Sequence, residues 1–336
     1  MASLLRFRYS DQSWTDETVE TRVFRPLDSS FGAEMSQGWF VGPSDFRTRR
    51  FDMNNGDLAL FAWNDREAFW VGNTETPEAL WRTDKIDLDE APYEVGRWAQ
   101  RELLAVLHDE SPWLESYPHL SWFFLPVFLS KDGRESSRRF FSEYAAGFPE
   151  TDRETALSFY ESFLRTGVLD QYRHVMAGKL GTSKRLNITR MTAAMGEFNA
   201  AYLLTESGYH IEPEAPVSTG HSIDFRADGE HGTTLVEVTR PAPPRRRRTN
   251  SSFDALKRTA TTKTDGQLNA HGGGVVLFVD CTSFTTEEWE ALADEEPDVG
   301  HRPAVIYRLR PNGHVSGYTK GDVPLTLNGL SGDLGG

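Results

Sequence analysis

Asp224 and Glu237 are the two residues from which a chemistry can be built. In the segment Ser222 to Arg226, Ile223 and Phe225 alternate with Ser222, Asp224 and Arg226, as in a strand with one apolar and one polar face. The segment Leu235 to Thr239 repeats the pattern: Val236 and Val238 take one face, and Leu235, Glu237 and Thr239 take the other. A turn centred on residues 230 and 231 sets Asp224 directly opposite Glu237 in an antiparallel pair, their β-carbons about 5 Å apart. Two carboxylates so close repel each other unless one is protonated or a cation bridges them. A hard divalent ion with oxygen ligands resolves the conflict, and Mg²⁺ (or Mn²⁺) uses one or two carboxylates together with water and substrate phosphate.

The flanking sequence supplies elements able to position this pair. Asn187 or Thr189 can cap a helix through Met191, Glu197 and Leu204 that stops at Ser207-Gly208. Strands are expected at Tyr209 to Ile211, Ser222 to Ala227 and Thr234 to Thr239. A Pro- and Arg-rich loop follows. Ser251 or Ser252 then opens a second helix to about Asn269, and Val275 to Asp280 reads as a buried strand bounded by glycines. The order is helix, three strands, helix, strand. Beyond it, a charged helix over 286–293 precedes a hairpin of Ala304 to Leu309 and His314 to Tyr318.

Asp224, a spacer, then Glu237-Val238-Thr239, after a helix bearing Glu197, resembles the PD-(D/E)XK nuclease superfamily with its restriction-endonuclease-like fold. The likeness covers about residues 187–282, and the arrangement is also similar to that of a haloarchaeal protein family. It implies an α/β fold whose C-terminal half is an αβββαβ core with a mixed sheet. It further implies a Mg²⁺-dependent endonuclease that hydrolyses DNA phosphodiester bonds. Asp224 and Glu237 would be metal ligands, with the carbonyl of Val238 a third. The sequence departs from the family at Thr239, where a lysine is expected; a hydroxyl cannot supply that charge. Some members move the lysine to the following helix. There Leu256, Ala260, Lys263 and Gln267 form one stripe, making Lys263 the replacement and Lys257 the fallback. Gln267 resembles a substrate-positioning glutamine, and Glu197, among Ala193, Ala200 and Ala201, could bring a further carboxylate to the site. Arg245, Arg246, Arg247 and Arg248, in the loop leaving the Glu237 strand, could grip a DNA backbone. The competing reading, drawn from Thr239, is a catalytically inactive nuclease-like module that binds nucleic acid or serves as an interaction scaffold.

Composition bounds the setting. The chain has 336 residues, with 50 acidic and 36 basic side chains and a net charge of −14. Only seven of the basic residues are lysines and 29 are arginines, a lysine-poor acidic character that resembles proteins of salt-loving archaea. Near molar salt the screening length falls to about 3 Å, so phosphate binding there needs close contacts or bound metal. A single cysteine, Cys281, excludes an intrachain disulfide scaffold and a cysteine-rich zinc site. The N-terminal sequence lacks a signal-like apolar run and no stretch is long enough to span a bilayer, so a cytoplasmic protein without membrane association is expected, and a homodimer is compatible with the sequence.

The length suggests two domains. Residues 1–180 carry 20 basic and 30 acidic side chains, residues 181–280 carry 12 and 11, and eight of nine tryptophans lie before residue 123. The boundary is therefore expected at 183/184. The N-terminal α+β domain should hold a hairpin of Leu58 to Trp63 and Ala68 to Val71, followed by helices such as Tyr93 to Leu107 and Arg153 to Leu164. It shows no chemical motif.

Overall fold

The computed structural model describes residues 5–74, 90–216, 222–230, 232–244, 251–266, 268 and 274–330. The chain forms two compact units, residues 1–135 and 136–336. Among the described residues no helix is long and apolar enough to cross a membrane.

The first unit is built on five antiparallel strands: β1 (Arg6–Ser10), β2 (Ala33–Ser36), β3 (Arg47–Met53), β4 (Leu58–Trp63) and β5 (Ala68–Gly72). They lie in the order β1-β5-β4-β3-β2. The expected β4–β5 hairpin is present, with Trp63 opposite Ala68, but as the centre of a larger sheet. Between β1 and β2, α1 (Asp16–Val19) continues through a π-turn into α2 (Arg25–Phe31). Val19, Val23 and Leu27 pack this segment on Phe51, Phe61, Trp63 and Trp70, so these aromatic residues are core. The helices α3 (Tyr93–Glu110) and α4 (Pro118–Phe128) complete the unit. Glu102 of α3, fully buried, accepts the backbone N–H groups of Trp39 and Phe40 at 3.0 and 2.7 Å and so fixes the loop that follows β2.

The division falls in the first turn of α5 (Arg134–Glu143), earlier than the composition change near 183 suggests. The helices α5, α6 (Arg153–Leu164) and α7 (Arg173–Gly178) belong with the second unit because their polar groups are bonded into it. Ser136 Oγ donates to the Ser183 carbonyl at 2.6 Å, and Tyr160 Oη donates to Asn199 at 2.9 Å.

The second unit then runs α8 (Ile188–Glu206), β6 (His210–Pro216), β7 (Ser222–Gly229), β8 (Gly232–Thr239), α9 (Ser252–Gly266), β9 (Val275–Asp280), α10 (Thr286–Glu295), β10 (Ala304–Leu309) and β11 (Val315–Lys320). Asn187 caps α8 by accepting from Arg190 N at 3.1 Å, and Ser251 accepts from Asp254 N at the start of α9. The six strands form a mixed sheet in the order β11-β10-β9-β8-β7-β6. The pairs β8–β9 and β9–β10 are parallel and the others antiparallel. A helix must carry the chain between parallel neighbours, and α9 does this between β8 and β9. Every residue of β9 is buried, as expected of a parallel strand covered on both faces. Leu256 and Ala260 of α9 pack among Val275, Leu277 and Val279, and burying a leucine side chain this completely contributes about 1.5–3 kcal/mol.

A buried polar network ties the far ends of these elements together. The Arg240 guanidinium, just past β8, lies 3.5 Å from the Asp280 carboxylate at the end of β9, with both side chains fully buried. Asp280 also accepts from Asn199 of α8 at 2.8 Å, and Arg240 donates to Ser283 and to the Gly147 carbonyl at 2.8 and 2.7 Å. These bonds fix α8 against the sheet two residues from Glu197.

Candidate metal and catalytic centre

The β7–β8 pairing runs from Gly229 opposite Gly232 to Phe225 opposite Val236. Continued by one residue, that register sets Asp224 opposite Glu237. The Asp224 N–H donates to Glu237 Oε2 at 3.3 Å, and Asp224 Oδ2 accepts the Val238 N–H at 2.8 Å. In an extended strand the N–H and C=O of one residue point to the same edge, so the Val238 carbonyl faces the edge where Asp224 lies. The β6–β7 pairing adds a third carboxylate to the row. Pro213 pairs with Phe225 and Ala215 with Ile223, which puts Glu214 opposite Asp224 from the other side. Glu214 interrupts the ladder there, with a left-handed backbone at φ 55°.

Helices bring the remaining charges. Lys263 of α9 places Nζ 2.6 Å from Glu237 Oε1 and 3.8 Å from Asp224 Oδ2. Lys179, at the C-terminal end of α7, contacts both Glu197 of α8 and Glu214, and lies 3.8 Å from Asp224 Oδ1. Each oxygen of Asp224 therefore faces a different ammonium. Glu214 also accepts from Ser222 Oγ. Among the described residues the site gathers four carboxylates and two ammonium groups, three of the carboxylates from adjacent strands and the other charges from helices.

Burial sets the proton affinities. It pushes Glu197 up to about 8, helped by the negative charge of Asp224 and opposed by Lys179. Glu237, with a side chain 1 % exposed, is raised by the same two causes, burial first and Asp224 second. Burial works against the charged form of Lys263, but the carboxylates of Asp224 and Glu237 outweigh it and the net shift is upward. Lys179 is likewise raised, because Glu197 and Asp224 overcome its burial. Burial favours a protonated Glu214, yet the hydrogen bonds from Lys179 and Ser222 prevail and hold its carboxyl below the usual range.

The donor set suits a hard divalent ion. It is all oxygen, and the carboxylate oxygens of Glu197, Glu214 and Asp224 lie within 4.8 Å of one another around the Lys179 ammonium, while Glu237 reaches Asp224 from the next strand. The buried Glu237 Oε1 has the Lys263 ammonium as its partner at 2.6 Å. Lys179 and Lys263 offset part of the carboxylate charge, and the proton that Glu197 keeps up to about 8 offsets more of it.

The structure thus brings Asp224, Glu237, Val238, Lys263 and Glu197 together. Thr239 is half-buried on the same strand face as Glu237, two residues on. Lys257 is exposed, so the helical stripe favours Lys263 over it. Gln267 and Arg245 to Arg248 lie outside the described residues. Sequence reasoning missed Lys179 and Glu214. The signal available for Lys179 was its type: two of only seven lysines in the chain stand at this site. Glu214 was masked by Pro213 and Pro216, which read as a loop after a strand ending at Ile211.

No curated protein and no solved structure matches the chain. A family model does match, over residues 2–327, and so spans both units rather than the site alone. The chain belongs to that family, DUF5784, a family of unknown function.

Proposed function

We propose that the second unit is a PD-(D/E)XK-like, restriction-endonuclease-like module that hydrolyses DNA phosphodiester bonds with Mg²⁺ or Mn²⁺. The observation that carries this reading is the position of Lys263, whose ammonium touches Glu237 and reaches Asp224 from a helix packed on the same sheet. It supplies at the site the charge that Thr239 does not. The order α8-β6-β7-β8-α9-β9 and the pairing of Asp224 with Glu237 support the same fold type. An ion held by Asp224 and Glu237, with the Val238 carbonyl as a further ligand, would neutralise charge on the scissile phosphate.

The protein's own groups divide the remaining work. Lys263 donates hydrogen bonds that can orient an attacking water beside the carboxylates. Glu237, buried against it, keeps the ammonium on the strand edge. Glu197 adds a carboxyl group from α8 that keeps its proton up to about 8 in the metal-free protein, and Gln267 and Arg245 to Arg248 are the groups we assign to substrate. The lysine-poor acidic composition supports a haloarchaeal, high-salt setting, in which such close contacts replace long-range attraction.

The test is cleavage of supercoiled plasmid in high salt with Mg²⁺ or Mn²⁺. Wild-type protein should nick or cut, and Glu237→Ala should lower the rate more than about a hundredfold with circular dichroism unchanged. Equal activity in the variant would refute the site. Thr239 favours a second reading, a binding module without catalysis. On that reading no cleavage occurs, Asp224→Ala leaves DNA affinity unchanged, and replacing Arg245 to Arg248 weakens it.

A further inference from the structure

We infer that Lys179 is a built-in second cation of this centre, so that the site takes one divalent ion rather than two. The inference rests on the proposed metal site and adds the number of ions and the identity of the group that stands in for the other. Two-metal phosphodiesterases hold their ions about 3.5–4 Å apart with a carboxylate between them, one ion on each side of the reacting phosphate. Asp224 has the bridging position here: Oδ1 is 3.8 Å from Lys179 Nζ and Oδ2 is 3.8 Å from Lys263 Nζ.

The two ammonium groups are held differently. Lys263 has two carboxylate partners, Glu237 and Asp224, and a side chain 23 % exposed. Lys179 has three, Glu197, Glu214 and Asp224, and a side chain 13 % exposed. Those three carboxylates are the group whose oxygens converge closely enough to hold an ion. The ammonium therefore occupies the place a second metal would need, and evicting it would break three ion contacts rather than two. A lysine delivers this charge at a fixed point whatever the metal supply, and it faces the half of Asp224 turned away from Glu237. Its task would be electrostatic: it would offer positive charge to a phosphate from the Oδ1 side of Asp224.

The experiment is Mn²⁺ titration of the metal-free full chain, followed by calorimetry and by electron paramagnetic resonance. Wild-type protein should bind one Mn²⁺ with an uncoupled spectrum. Lys179→Met should bind two, with the exchange-coupled signal of a pair bridged by Asp224. Lys179→Met/Glu197→Gln, which removes one carboxylate with the lysine and relieves the repulsion that could unfold the single variant, should return to one ion. Two ions in the wild type, or one ion at unchanged affinity in Lys179→Met, would overturn the inference while leaving the metal site standing. No uptake by any of the three proteins would overturn the metal site and the inference with it.

Discussion

Replacing Lys263 by methionine tests the electrostatics of the centre without any substrate. The methionine keeps about the length of the side chain, but leaves Glu237, 1 % exposed, with the Asp224 N–H at 3.3 Å as its remaining close polar contact on β7. Breaking a fully buried ion pair by removing one partner costs about 3–5 kcal/mol. The Lys263 side chain is 23 % exposed, so solvent screens part of this and a loss of about 2–4 kcal/mol is expected at neutral pH. For a unit of residues 136–336 that corresponds to a fall in Tm of roughly 5–15 °C. The loss should depend on pH in a fixed direction. Without the ammonium, the folded variant keeps a proton on Glu237 at pH values where the unfolded chain has released it. Unfolding then releases protons, so the variant loses stability as pH rises above the usual glutamate range, and its deficit against wild type is smallest in acid. Thermal melts by circular dichroism at pH 5 and pH 7.5 in EDTA provide the assay. The double variant Glu237→Gln/Lys263→Met should regain most of the difference. A Tm within a degree of wild type at both pH values would mean that Lys263 is an ordinary surface lysine, and the ion pairing argued for the site would fail.

Two further outcomes follow from the same geometry. In metal-free protein, Glu197 holds its proton up to about 8 because of burial and the Asp224 charge, whereas in the unfolded chain it ionises in the ordinary glutamate range. Unfolding therefore releases a proton between those values, and equilibrium denaturation should show stability declining as pH rises through that window, a decline that Glu197→Gln should make shallower, the remainder coming from Glu237. Asp280→Ala strands the fully buried Arg240 guanidinium and removes the acceptor of Asn199, so it should cost about 3–5 kcal/mol in urea denaturation, while Ser283→Ala, which removes one neutral acceptor, should cost about 1–2.

What could be read from the sequence was decided by local rules. The pairing of Asp224 with Glu237 follows from strand alternation and a short turn, because a period of two leaves one register that buries Phe225 and Val236 opposite each other; Ile223, expected on their face, packs instead with Leu256 and Leu277 under α9. Lys263 was legible for a similar reason, since Leu256 and Ala260 define the buried stripe of α9 and helical spacing carries that stripe to it. Lys179 followed no such rule. It belongs to a helix in the stretch whose acidic charge and tryptophan content suggested another domain, and its partners are far along the chain, so only tertiary packing joins them. Glu214 was hidden because the strand that carries it contains Pro213 and Pro216, which argue against a strand when no neighbour is known. The unit boundary shifted for the same reason: the bonds from Ser136 and Tyr160 into the second unit leave no trace in composition.

The irregular β6 has a consequence for the solution behaviour of the protein. It is a terminal strand of the six-stranded sheet, and an open strand rim invites another chain to add on by backbone pairing. Pro213 and Pro216 each lack an N–H, and the left-handed turn of Glu214 between them breaks the flat spacing that a docking chain would follow. The kink that swings an acidic group toward Lys179 thus also blunts the rim against fibril-like self-association. A chain straightened at Glu214 would lose both protections at once, becoming prone to aggregate as its centre came apart.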